Sequence, residues 1–118
     1  MDESQRPLYE IKANLFKGLA HPLRIRVLEL LSAAPEVSVA DLLRETDLEP
    51  SHLSQHLSVL RRHGLVRSER RGSTVYYRLA FDEVADLLRV ARILLTEVLG
   101  TSSGQLRAAG TLPSLPAR

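Results

Sequence analysis

The chain has 118 residues, 44% of them hydrophobic but only 4% aromatic, and a formal net charge of +2. That length bounds it to one small domain with a real core, and the absence of cysteine excludes disulfides and thiolate metal sites. No apolar run approaches the roughly 20 residues of a membrane span, and the opening Met-Asp-Glu-Ser-Gln-Arg lacks the basic start and apolar core of a secretory signal, so the expectation is a cytoplasmic protein without a membrane partner.

The first predicted helix covers about residues 7–20, with Leu8, Ile11, Leu15, Phe16 and Leu19 as its apolar stripe. His21-Pro22 ends it, because the residue before proline avoids helical backbone. Pro22 then opens a second helix, about 22–33, at a position where a missing N–H does no harm. Leu23, Ile25, Val27, Leu28, Leu30 and Leu31 make that helix apolar on most sides and therefore central. After the break at Ala33-Ala34-Pro35-Glu36, Ser38 with Asp41 three residues on reads as an N-cap. It starts a short helix, about 38–45, buried through Val39, Leu42 and Leu43. Residues 36–49 set Glu36, Asp41, Glu45, Asp47 and Glu49 against Arg44 alone.

The brief link Thr46-Asp47-Leu48-Glu49-Pro50 makes this helix and the next a helix-turn-helix pair. In the next helix, from residue 50 to 63, Leu53, Leu57 and Leu60 share the buried face. The opposite face carries Ser51, Gln55, Ser58 and Arg62, flanked by His52, Ser54 and Val59. It is polar yet almost uncharged, where a solvated face would more often hold Glu and Lys. Short donors and acceptors without negative charge suit base edges and phosphates. Gly64 stops the helix.

Periodicity then changes from 3.6 to 2. Residues 66–70 and 75–79 read as strands around Arg71-Gly72-Ser73-Thr74, with Val75, Tyr77 and Leu79 facing the core and Tyr76 and Arg78 outward. Residues 61–78 hold Arg61, Arg62, Arg67, Arg70, Arg71 and Arg78 against Glu69 alone, and arginine's fork suits phosphate better than lysine does. Asp82 caps a last helix, about 82–99, whose Val84, Leu87, Leu88, Ala91, Leu94, Leu95 and Val98 form a stripe wider than a small monomer needs. The expected dimer interface therefore combines Leu8, Ile11 and Leu15 with Leu87, Ala91, Leu94, Leu95 and Val98; an internal helix pair is the alternative. Residues 1–99 are the expected folded domain, and 100–118, rich in Gly, Ser, Thr, Pro and Ala, a flexible tail. The fold class is mainly α with a small β-hairpin, a winged helix-turn-helix in the order α-α-α-α-β-β-α.

Three segments, Leu19-Ala20-His21-Pro22-Leu23-Arg24-Ile25-Arg26-Val27-Leu28, Ser51 through Leu60, and Gly64-Leu65-Val66 with the hairpin, fall in order at family spacing. On them, residues 8–98 resemble the ArsR/SmtB family of winged helix-turn-helix repressors. The resemblance implies a homodimer that binds a palindromic operator in double-stranded DNA and releases it when a metal ion or other inducer binds. One family metal site uses two cysteines at the start of the third helix, where this chain has Ser38 and Ala40. Another uses histidines on the last helix, which here has none. The usual metal sites are thus missing, and no cofactor is certain.

Four histidines remain. His21 and His63 sit at helix ends, where capping and the helix dipole account for them, and His56 flanks the leucine stripe as a half-buried residue. His52 and His56, four residues apart, are the one pair able to grip a nickel or zinc ion at a non-standard site. Ser51, His52, Gln55 and Ser58 are the expected base-edge contacts, and Ser54, Arg62, Arg70, Arg71 and Ser73 the expected phosphate contacts. The leading expectation is a dimeric, sequence-specific regulator. A winged-helix module for protein–protein contact is the competing class. An enzyme is rejected, because no acid is placed to orient a histidine and no glycine-rich loop offers an oxyanion or phosphate site.

Overall fold

The computed structural model describes residues 2–100. In chain order they form α1 (Arg6–Leu19), α2 (Pro22–Ser32), β1 (Val37–Ser38), α3 (Val39–Thr46), α4 (Pro50–Arg62), β2 (Val66–Arg71), β3 (Thr74–Leu79) and α5 (Glu83–Gly100). Helix α5 takes in Gly100, one residue past the expected boundary; the remainder of the expected tail, residues 101–118, lies outside the described residues. The sheet has three antiparallel strands in the order β1-β3-β2, so the expected hairpin gains a short third strand. Val37 pairs with Tyr77 and Ser38 with Tyr76. Two residues cannot show a period, which is why the sequence pattern passes over β1.

The corner between α1 and α2 is built by His21 and Arg24. His21 takes extended backbone, and its Nδ1 accepts the Leu23 N–H at 3.1 Å, capping α2. Arg24 donates Nε–H to the Gly18 carbonyl at 2.8 Å and Nη2 to the Lys17 carbonyl at 3.1 Å. It thereby satisfies the last carbonyls of α1 and places a cation at that helix's negative end. Ser38 caps α3 as expected, its Oγ accepting the Asp41 N–H at 3.1 Å.

Helix α4 ends in a two-bond left-handed cap. The Leu65 N–H reaches the Leu60 carbonyl at 3.0 Å and the Gly64 N–H the Arg61 carbonyl at 2.9 Å, with Gly64 at φ 74°. This is the Schellman arrangement, and its apolar contact is supplied by Leu60 and Leu65, both buried. The core is a leucine cluster: Leu28 and Leu31 of α2, Leu42 of α3, and Leu53, Leu57 and Leu60 of α4, closed by Tyr77 from β3 and by Val84 and Leu88 from α5. Truncating one such leucine to alanine costs about 2–5 kcal/mol. The three leucines of α4 thus decide which of its faces is turned out.

Candidate nucleic-acid interface

With Leu53, Leu57 and Leu60 buried, Ser51, Gln55 and Arg62 on the far side of α4 are exposed, together with His52 and Ser54 on its flanks. Ser58 and Val59 are half-buried, and Arg61 Nη2 donates to Ser58 Oγ at 3.4 Å. No acidic residue occurs from Pro50 to Arg62. The first turn has neither a side-chain cap nor an acid. But Pro50 has no N–H, the His52 N–H is taken by the Glu49 carbonyl at 3.0 Å and Glu49 stands at the N-cap, so this turn does not by itself make an anion site.

The hairpin brings its arginines alongside. Its turn is Gly72-Ser73, with Gly72 at φ 63°, as a two-residue turn with glycine in first position requires. Cross-strand partners share a face, and the register pairs Arg70 with Val75 and Ser68 with Tyr77. Because Tyr77 is buried, Ser68 and Arg70 belong to the inner face, above the core. Arg67, Glu69 and Arg71 belong to the outer face with Tyr76 and Arg78. Arg70 and Arg71, neighbours in sequence, therefore leave the wing on opposite sides.

Arg71 is held in place. It forms an ion pair with Glu36 and lies over the Tyr76 ring, 3.9 Å from its centroid. The hydrogen bond to Glu36 pushes the Arg71 pKa further up. Tyr76 and Glu36, assigned no role from the sequence, make the platform on which this arginine is displayed. Arg67 lies similarly over Phe81, at 5.5 Å. Arg70 has no ion-pair partner among the described residues. Two other acids of the block are paired elsewhere, Asp41 with Arg44 and Glu45 with Arg26 at 4.0 Å.

The histidines divide as their positions suggest. His52 is exposed. His56 turns to His21, with ring centroids 4.3 Å apart. Burial pushes the His56 pKa below its ordinary 6.5, and the charges of His21, Arg24 and His52 act in the same direction. His63 packs against α1 so closely that a Cβ on Gly18 would stand 2.7 Å from its ring. Among the described residues, no three His, Asp or Glu side chains gather as a metal site would need.

A helix-turn-helix whose second helix turns an acid-free polar face outward, next to an arginine-bearing hairpin, defines a winged-helix DNA-binding domain. Residues 19–69 match the family model described as a helix-turn-helix domain. The HTH-type transcriptional regulator Rv0081 of Mycobacterium tuberculosis is 48% identical over 109 residues, spanning 89% of this chain and 95% of that protein. The chain belongs to this family of HTH-type transcriptional regulators. The crystal structure of Rv0081 superposes with a TM-score of 0.75 at 50% identity, over 80% of this chain and 95% of that one. The homodimeric winged helix-turn-helix DNA-binding domain of Mb0332 from Mycobacterium bovis does so with a TM-score of 0.73 at 29% identity, over 82% and 89%. Among the described residues no helix is long and apolar enough to cross a membrane.

Proposed function

We propose that the chain is a homodimeric, sequence-specific transcriptional regulator of the ArsR/SmtB type, acting in the cytoplasm on a palindromic operator. The observation that carries this reading is the outward face of α4, exposed and free of acids while its leucines are locked in the core. Inserted in the major groove, α4 presents Gln55, Ser51, Ser58 and His52 to base edges, with the Gln55 amide suited to adenine. Ser54 and Arg62 hold phosphates beside the groove, and Arg70, Arg71 and Ser73 hold them from the wing.

Dimerisation is supported by apolar side chains that α1 and α5 leave outside the core. Leu8, Ile11 and Leu15 on α1 and Ala91, Leu94, Leu95 and Val98 on α5 are exposed, while Leu87 is half-buried against the core at the edge of the same stripe. An exposed apolar area of this extent marks an interaction surface.

The family's metal positions do not fit a soft metal here. Ser38 offers a hydroxyl already engaged as the α3 cap, Ala40 offers no donor, and α5 has no histidine. No step of this reading runs through a metal. Sedimentation equilibrium of the free chain, followed by titration onto a duplex at low ionic strength, tests the assembly. Two chains in solution and two per duplex agree with it; a lone subunit, or indifference to every duplex, would falsify it.

A further inference from the structure

Between the wing and α4 lies a cleft that the base-reading face does not use. It encloses about 410 Å³, within the range of about 300–1,000 Å³ typical of small-ligand sites. Its lining is mixed: Leu57 and Tyr77 lie buried at its base, and half-buried Val39, Leu43 and Val75 supply the apolar part. Arg61 of α4 and Arg70 of β2 also line it, accompanied by Ser54 and Ser68. No carboxylate lines it among the described residues, and neither arginine has an ion-pair partner there.

We propose that this cleft binds a small amphipathic carboxylate, an aromatic or short acyl acid, whose carboxylate meets Arg61 and Arg70 while its apolar body covers Val39, Leu43 and Val75. Each half of the cleft excludes a simpler occupant. An inorganic anion would satisfy the guanidinium groups and leave the half-buried Leu43 and Val75 surface wet. A neutral hydrophobe would cover that surface and leave two cations without a counter-charge. A carboxylate with an apolar body answers both, and the guanidinium fork matches its two oxygens.

The regulatory consequence rests on the proposed DNA reading, in which Arg70 also serves a phosphate. One guanidinium cannot hold a ligand carboxylate and a DNA phosphate fully at once. Acid and DNA therefore oppose one another, and the opposition is reciprocal.

The test is a calorimetric titration of the full chain, without DNA, using sodium 2-naphthoate, with 2-naphthalenemethanol and inorganic phosphate as comparators. The expected result is saturable binding of one naphthoate per chain, with each comparator weaker by about tenfold or more. Arg61→Gln and Arg70→Gln each weaken naphthoate by about tenfold while the circular-dichroism melt stays put. Comparable binding of phosphate or of the alcohol, no saturable binding, or unchanged affinity in both variants overturns the proposal. A competition on a random-sequence duplex then reads the opposition: saturating naphthoate lowers duplex affinity severalfold, and unchanged affinity overturns the linkage. A protein that binds naphthoate but ignores every duplex would sustain the cleft and overturn the DNA reading, so the two failures are distinguishable.

Discussion

Under the proposed function, Gln55 and Glu36 act in different ways at this surface. Gln55 is exposed on the acid-free face of α4, and its amide both donates and accepts, which is what adenine's major-groove edge presents. Gln55→Ala is expected to cost about 1–3 kcal/mol on the operator and little on random duplex, read by fluorescence anisotropy; equal losses on both would assign it to the backbone. On the proposed reading, Glu36 both steadies Arg71 and works against DNA. Its carboxylate is paired with Arg71 beneath the wing, so it competes with a phosphate for the same guanidinium. Glu36→Gln should raise affinity for all duplexes a few-fold and steepen the dependence on salt, because one more cation becomes free to displace counterions. A loss of affinity would show instead that Glu36 is needed to orient Arg71 on Tyr76.

At the scale of elements, the junction of α1, α2 and α4 combines the Arg24 bonds to the end of α1 with a close approach of α1 to His63. Gly18 lies inside α1, where alanine would normally gain about 1 kcal/mol in helix propensity, yet the added Cβ would press on the His63 ring. Gly18→Ala should therefore destabilise the fold by about 1–3 kcal/mol in urea melts. Combining it with His63→Ala should recover part of that loss; full additivity would deny the contact. The same junction carries a proton dependence. The folded state holds His56 neutral below its ordinary 6.5, so the unfolded chain binds that proton more readily. Stability is then complete above 6.5 and declines as pH falls toward the lowered folded value. His56→Gln should flatten that part of the profile, measured by denaturation at about pH 7.5 and about pH 5.5. The helices were legible in sequence because each has local punctuation: Pro22, the Ser38 cap and Gly64 fix boundaries to about a residue. The alternation of Val75, Tyr77 and Leu79 likewise gave the inner face of β3. What the sequence did not show arises between elements distant in the chain. Strand β1 exists only through its pairing with β3, the His21–His56 contact joins the N-cap of α2 to the middle of α4, and Arg71 meets Glu36 across 35 residues. Of the candidate site, the α4 face could be read directly from a helical wheel. Arg61 was missed as a cleft residue, although its place four residues after Leu57, on the flank shared with Ser54, was a usable signal.

For the whole molecule, the proposed function requires one small domain to recognise DNA with specificity. One α4 covers only a few base pairs, and a two-fold pair doubles the site without a new motif. In the proposed dimer the apolar stripes of α1 and α5 are the means, with Ile11 69% and Leu94 58% exposed in the single chain. Leu94→Glu adds a charge where the lone subunit already meets water, so it should leave the thermal midpoint of the subunit little changed. It should convert the dimer to monomer and weaken operator binding by roughly 100-fold through lost avidity; a charged variant that still sediments as a dimer would place the interface elsewhere. The two copies of α4 would then enter successive major grooves about 34–36 Å apart. Selection of bound sequences from a pool of random duplexes tests this most directly. The account predicts an enriched inverted repeat whose half-sites lie about one helical turn apart, and an enrichment that disappears with Gln55→Ala; a bound pool with no inverted repeat, or one that Gln55→Ala leaves unaltered, would contradict it.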